Sequence, residues 1–420
     1  MSGQGGILQK IHNAMAEGTL IKKTFRKILF IIDPTIGVCV RKILSLILKV
    51  KPNKIVFITD QGEYICNPKY ITEQLIRENI TCDIVWAVRK EVIVNSREYS
   101  PQIKFVEWLT LKFYYQIARA KIIIINSVAF PAEQAIHKKN RQIMIQTWHG
   151  SLGIKKFGAG AHNDRNWVEM ATHRSQKTDF CISNSSFEDM VYRTTFWPET
   201  EILQYGHPRN DILFPHSNTN REEIKEKILS LFGIKGNPKI ALFAPTFRDN
   251  REFFYYSIQY DELLVALKKR FTGDWIVFAK FHLGLRDSPY RNQLLSSKPK
   301  AVIDVTDYVD IQELLLIADV GLTDYSSWIF DYLITGKPGF IYAVDIAEYI
   351  VERGLYYPLE ATPFPIATNN YELCHNILSF DEQLYKTRVE EFLIGKGCVD
   401  DGHASERVVG KILDIIECKK

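Results

Sequence analysis

The sequence lacks most of the short signatures by which chemistry is usually recognised. It has no G-x-G-x-x-G turn and no G-x-x-x-x-G-K-[ST] loop, which sets aside the common dinucleotide-binding and P-loop classes. H-E-x-x-H and G-x-S-x-G are absent too, and with them the metalloprotease and α/β-hydrolase readings. No Asp-x-Asp pair occurs, so neither an essential metal nor a cofactor is expected. Seven cysteines are scattered, none in a C-x-x-C pair, which excludes zinc spacing and an oxidised framework and points to a reducing compartment. Residues 1–20 carry no apolar core of signal-peptide length. The most apolar early run, 28–40, is broken by Asp33-Pro34 and falls short of the roughly 20 residues that span a bilayer. The expectation is a protein in the cytoplasm or on a membrane face, not one that crosses it.

What is present is an ordinary globular composition with one anomaly. With 420 residues, 46% hydrophobic and 24% charged, the chain fits two domains of about 200 residues each. Its net charge of +4 is unevenly spread: residues 1–54 set ten Lys and Arg against only Glu17 and Asp33, so the remainder is slightly acidic. No nucleic-acid partner is expected of such a body. Within the basic stretch, 19–32 and 38–50 place Leu, Ile, Phe and Val between Lys and Arg, the pattern of a helix lying in a membrane interface. The competing reading is a helical pair packed on the first domain.

From Lys54 onward short apolar runs alternate with amphipathic segments. Runs at 54–59, 82–88, 121–127, 143–148 and 179–185 precede a Pro/Asn/Ser-rich break near 207–238. Others follow at 239–246, 275–282, 301–306, 320–325 and 339–345. Continuous apolar runs of this kind read as parallel strands buried on both faces, and the segments between them as helices. The expected fold class is α/β: two Rossmann-like, doubly wound domains, 54–214 and 215–420, of about five strands each, facing across a cleft. A basic helical segment, 1–53, precedes them, and the last helix is expected to pack back on the first domain.

Polar motifs follow several of these strands, where a doubly wound sheet binds its ligand. Thr147-Trp148-His149-Gly150-Ser151-Leu152-Gly153 runs on to Lys155 and Lys156: a histidine at a strand tip, glycines that let a ligand approach, and cations for an anion. Lys280-Phe281-His282 repeats the logic in the second half, so two histidines, one from each sheet, can meet across the cleft. The bland alternative for each is a hydrogen-bonded loop histidine. Ser326 and Ser327 open a helix whose N–H groups suit a phosphate, with Asp331 about one turn later for a ribose or another hydroxyl. Two ordinary N-caps are the alternative there. Pro245 and Thr246 are placed to line a nucleotide pocket, and Arg209 to clamp a phosphate bidentately.

Together the motifs TWHGSLGIKKFG, GHPRND, FAPTFRD, KFH, the run DVTDYVDIQELLLIADVGLTDYSSWIFDYLITGKP and the closing DGHASERV resemble the CDP-glycerol glycerophosphotransferases, in order and spacing, over about residues 54–415. The resemblance implies a GT-B fold. It also implies transfer of glycerol phosphate or ribitol phosphate from CDP-glycerol or CDP-ribitol to a hydroxyl of a lipid-linked saccharide or polymer acceptor, in teichoic-acid or capsule-type synthesis, with release of CMP. His149 and His282 become the catalytic pair. The donor site is drawn from Trp148, Gly150, Ser151, Leu152, Arg209, Pro245, Thr246, Lys280, Phe281, Ser326, Ser327 and Asp331.

The sequence departs from the family's pattern at Ser151-Leu152, where Thr-Pro is usual, and at Leu283, where a proline follows the second histidine. It also lacks Pro-Gly-Pro after Tyr356. On this reading His149 is the base for the acceptor hydroxyl, while His282, Lys280 and Arg209 stabilise the diphosphate. The basic N-terminus docks on an anionic membrane surface at the cytoplasmic face. The alternatives are a GT-B sugar-nucleotide glycosyltransferase and a non-catalytic scaffold of a polymer-export complex; the presence of both histidines argues against the scaffold.

Overall fold

The computed structural model describes residues 42–94, 98–128, 136–158, 161, 165–217, 219–246, 258–282, 291 and 298–417. Two sheets, parallel throughout, form its frame. The first contains β1 (Lys54–Ile58), β2 (Asp83–Val88), β3 (Ile103–Glu107), β4 (Ile122–Ile125), β5 (Ile143–Gln146), β6 (Phe180–Ser183) and β7 (Glu201–Gln204), in the order β3-β2-β1-β4-β5-β6-β7. The second contains β8 (Lys239–Phe243), β9 (Trp275–Ala279), β10 (Val302–Asp304), β11 (Val320–Thr323), β12 (Gly339–Tyr342) and β13 (Ile366–Ala367), in the order β10-β9-β8-β11-β12-β13. In both, the chain winds outward on one side, returns, and continues on the other. Each sheet therefore has one switch point, between β1 and β4 and between β8 and β11. Among the helices, α1 (Cys66–Arg77), α2 (Ile311–Ile317), α3 (Trp328–Tyr332) and α4 (Ala404–Glu417) shape the cleft and its back wall.

The central strands form where the chain offers no polar face. β4 is four isoleucines in a row, all buried, and β1 is buried throughout. Alternation then divides the side chains: Ile55 and Phe57 of β1 pack with Ile71 and Leu75 of α1, while Val56 and Ile58 pack with Phe113 and Ile117 on the other face. α4 joins the first of these clusters through Val408, Val409 and Ile412, none of them exposed. Each such side chain contributes about 1.5–3 kcal/mol relative to exposure, so the C-terminal helix is firmly held on the first sheet.

The sheets have seven and six strands, where about five each are expected from sequence. The three unforeseen strands, β3, β7 and β13, are all sheet edges. Edge strands carry charge and are short, and these follow suit: β3 exposes Lys104, β7 exposes Glu201 and Gln204, and β13 has two residues. Their apolar signal is correspondingly weak.

Most of the basic N-terminal segment lies outside the described residues. Of it, 42–53 is described, with a short helix at 42–47 that exposes Ile43, Leu46 and Ile47 while Leu44 packs on the first sheet's core. Among the described residues no helix is long and apolar enough to cross a membrane.

Candidate active site

Beyond the end of β5 the chain makes a strained turn. Trp148 has φ 51°, a left-handed value that side chains rarely adopt. It is held there by its neighbours: Gln146 Oε1 accepts from its backbone N–H at 2.8 Å, and its ring packs on Phe157 and Trp197 at 5.0 and 5.3 Å between centroids. A Cβ on Gly150 would lie 2.7 Å from the indole nitrogen, so the next turn needs glycine. The result is to set His149 over Trp148, 4.5 Å between rings, with its Nδ1 2.6 Å from the carbonyl oxygen of Asn126. A carbonyl only accepts, so Nδ1 carries the proton and Nε2 keeps its lone pair. Asn126 is itself fixed. Its Nδ2 donates to Asp60 Oδ1 at 3.0 Å, and its Oδ1 accepts from the Asp60 N–H at 2.8 Å. These residues follow β4 and β1, the strands that flank the first switch point.

The loop then crosses to the second half. Leu152 and Ile154, each 1% exposed, sit in the second sheet's core. Ile154 O accepts from the Tyr356 N–H at 2.7 Å, and the Tyr357 hydroxyl donates to Leu152 O. A Cβ on Gly153 would lie 2.9 Å from Ser327 Cβ. Leu152, expected from sequence among the donor contacts, has its side chain anchored in the neighbouring core.

From the second sheet come Pro245 and Thr246 after β8, Lys280 to His282 after β9, and Ser326 and Ser327 after β11. Phe281 is 2% exposed and mostly core. Lys280 turns its ammonium onto the carbonyls of Tyr308 and Thr306, at 2.6 and 3.4 Å. His282 faces the cleft. Enclosure by the surrounding protein, then the cations Lys155 and Lys280, hold its pKa below the ordinary histidine value, against an opposing pull from Asp60. Ser327 occupies the N-cap position of α3 but makes no side-chain cap bond, and α3 is only five residues long. So short a helix offers a phosphate little at its N-terminus, while the two hydroxyls remain at the cleft surface.

Arg209 and Asp331 meet at the buried base of the cleft. Nε donates to Asp331 Oδ2 at 2.9 Å, and Nη2 donates to the Gly150 carbonyl. Burial works against the Arg209 cation, but the adjacent carboxylate outweighs it and raises its pKa. Asn210 Nδ2 donates to Asp331 Oδ1 at 3.2 Å and to Asp400 Oδ2 at 3.0 Å. Asn184 ties Asp400 to Ser151 Oγ at 2.9 and 3.3 Å. Arg209, read from sequence as a bidentate phosphate clamp, and Asp331, read as a hydroxyl ligand, are paired with each other in this structure. Each is occupied by the other, because at this depth an unpaired charge is too costly.

Two cavities open beside the histidines, one of about 410 Å³ and one of about 240 Å³. His149, Pro245, His282, Ser326 and Ser327 line both. The larger adds Trp148, Gly150, Ser151, Thr246, Lys155, Lys156, Arg353 and Tyr356. The smaller adds Asp60, Gln61, Asn126, Lys280, Phe281 and Gln312, over Arg209 and Asp331. Sequence reasoning passed over Asp60, Gln61, Asn126, Gln312 and Arg353. The first three become visible only once the strand order shows which loops flank the switch point.

A family model described as CDP-Glycerol:Poly(glycerophosphate) glycerophosphotransferase matches residues 40–414. The chain is 30% identical over 384 residues to a teichoic acid poly(glycerol phosphate) polymerase of Staphylococcus epidermidis, covering 86% of this chain but half of that protein. To a teichoic acid glycerol-phosphate transferase of Staphylococcus aureus it is 29% identical over 376 residues, 85% of this chain and 92% of that one. Among solved structures, the wall teichoic acid polymerase TagF, in a histidine-to-asparagine variant soaked with CDPG, superposes with a TM-score of 0.76 at 28% identity, covering 94% of this chain and 98% of that one. The α/β frame of two parallel-sheet domains is thus shared with TagF, and the chain belongs to the CDP-glycerol:poly(glycerophosphate) glycerophosphotransferase family.

Proposed function

We propose that the chain transfers an alditol phosphate, from CDP-glycerol or CDP-ribitol, to a hydroxyl of a lipid-linked acceptor, on a GT-B-type frame. In that frame 54–214 serve the acceptor and 215–420 the donor. The observation that carries the reading is His149: its proton is committed to Asn126 O at Nδ1, which leaves Nε2 as a base on the wall common to two cavities. The acceptor hydroxyl gives its proton to Nε2 as its oxygen attacks the β-phosphorus. The bond from that phosphorus to the bridging oxygen breaks, and CMP leaves with the electron pair. The second pKa of a phosphate monoester is about 6, so the leaving oxygen needs no acid.

Charge on the diphosphate is met by Lys155, Lys156 and Arg353 on the larger cavity, with the hydroxyls of Ser326 and Ser327 beside them. Arg209 and Lys280, read from sequence for this role, donate to Asp331 and to the Tyr308 carbonyl. His282, kept neutral near pH 7, contributes a ring N–H instead of a charge. The CDPG soaked into TagF supports a CDP-linked donor.

The basic N-terminal stretch docks the enzyme peripherally on the cytoplasmic face of an anionic membrane, where a lipid-linked acceptor resides. The apolar residues exposed on the helix at 42–47 support this. The test is CMP release from CDP-glycerol and from CDP-ribitol with a lipid-linked acceptor, beside His149→Ala. Equal release by the variant, or none from either donor, ends the reading.

A further inference from the structure

The two cavities ask different things of a ligand. The larger, with Lys155, Lys156, Arg353 and the rings of Trp148 and Tyr356, suits a nucleotide carrying a diphosphate. The smaller draws Asp60, Gln61 and Asn126 from the first sheet's switch point and Gln312 from α2. The Asp60 carboxylate repels phosphate, Arg209 is held by Asp331, and Lys280 is turned onto carbonyls.

On the smaller cavity two side-chain acceptors are left without a donor among the described residues. Gln312 is 1% exposed, and its Nε2 donates to Asn210 Oδ1 at 2.9 Å and to Asp331 Oδ2 at 3.3 Å. The Asp331 carboxylate, paired with Arg209, only accepts. The amide's orientation is therefore fixed, and Gln312 Oε1 is turned away from that carboxylate. This oxygen is buried and has no hydrogen-bond partner among the described residues; Gln61 Oε1, on a half-buried side chain of the opposite wall, also lacks one. Buried acceptors without donors are rare in folded proteins, and two on one cavity mark a place where donors arrive from outside.

We propose that the smaller cavity is the acceptor pocket, and that Gln61 and Gln312 read the polyol end of the acceptor by taking hydrogen bonds from its non-reacting hydroxyls. This rests on the transferase reading above. A hydroxyl is the donor that fits: it is neutral, so Asp60 does not repel it, and an alditol brings several in a volume of about 240 Å³. An ionised phosphate has only acceptors to offer two orphaned acceptors. Seated here, the polyol lies beside His149, and the donor phosphorus approaches from the larger cavity.

The test is steady-state kinetics with CDP-glycerol and a water-soluble acceptor ending in glycerol phosphate. The same acceptor lacking its non-reacting terminal hydroxyl runs in parallel, and donor Kd is measured by calorimetry. In the wild type, removing that hydroxyl raises acceptor KM about two- to tenfold, the worth of one neutral hydrogen bond. In Gln61→Ala, Gln312→Met or both, KM for the full acceptor rises by a similar factor and the discrimination against the deoxy acceptor disappears, while donor Kd is unchanged. Retained discrimination in both variants, or a donor Kd that rises with acceptor KM, overturns the proposal. Gln312→Met also loses bonds to Asn210 and Asp331; if it does not fold, Gln61→Ala decides alone. A wild type that turns over neither CDP-alditol overturns the transferase reading and this one with it. A working wild type with unchanged discrimination in the variants overturns this one alone.

Discussion

At the buried base of the cleft, charge is answered by protein: Arg209 by Asp331 and Gly150, Asp331 by Asn210 and Gln312, Asp400 by Asn184 and Asn210. On the walls, His149, His282, Ser326 and Ser327 stand at the cavities, with Lys155, Lys156 and Arg353 around the larger one. Both regions are built from the same family motifs, and charged residues of both suit a phosphate when read from sequence. The difference lies in depth. A guanidinium 4% exposed must be paired before any ligand arrives, whereas a charge at a cavity surface keeps its hydration and carries no such requirement. The base therefore joins the two halves, and on the proposed reading the walls bind and react.

The largest effect is expected on the wall. His149→Ala should lower CMP release about 10²- to 10⁴-fold, the usual contribution of a general base, and leave the melting temperature near that of the wild type. The ring is exposed at a strand tip, so its truncation opens no cavity in the core. A variant that loses activity only in proportion to lost folding would put His149 with the base of the cleft.

Arg209→Ala reverses that pattern. It leaves the Asp331 carboxylate buried and unpaired, and breaking a buried pair costs about 3–5 kcal/mol. Denaturant unfolding should show the loss in full, and Arg209→Lys, which cannot span Asp331 and Gly150 with one planar fork, should recover only part of it. A variant of undiminished stability with weakened donor binding would restore the phosphate-clamp reading.

Legibility followed the same division. The buried central strands announce themselves as unbroken apolar runs, and both histidines could be placed at strand tips because a strand's end is visible where the run stops. Edge strands β3, β7 and β13 could not, since their outward residues are polar for reasons unrelated to the fold's core. Motif strings name Leu152, Arg209 and Asp331 but not their partners, and the partner decides whether such a residue anchors, pairs or binds. Asp60, Gln61 and Asn126 belong to no motif singled out. They matter because β1 and β4 are neighbours in the sheet, which is a fact of strand order, not of local sequence.

A smaller effect separates the hydroxyls on the wall from helix capping. Ser327 makes no cap bond to α3, so replacing Ser326 and Ser327 with Ala should leave thermal melting nearly unchanged. Loss of two neutral hydrogen bonds to the donor, each about 1 kcal/mol, should weaken CDP-glycerol binding roughly tenfold or more. A melting loss of about 1 kcal/mol with unchanged donor affinity would return both residues to a capping role.

The smallest effect is on the titration of His282. Enclosure and the cations Lys155 and Lys280 hold its pKa down, and Asp60 pulls the other way. Lys155→Ala should therefore move the ring's titration, followed by NMR, to higher pH, and Asp60→Asn should move it to lower pH. The linked stability has a definite sign. A histidine whose folded pKa is depressed takes up its proton first in the unfolded chain, so its contribution is present above the ordinary value of about 6.5 and is lost as pH falls toward the folded value. Lys155→Ala narrows that window and Asp60→Asn widens it. Salt should shrink both shifts, since the cleft is open to solvent. Arg209 lies deeper in the cleft and is paired with Asp331. A conservative change there that keeps the fold should leave the titration where it is, and a shift from Arg209 as large as that from Lys155 would mean that the base and walls of the cleft share one electrostatic environment after all.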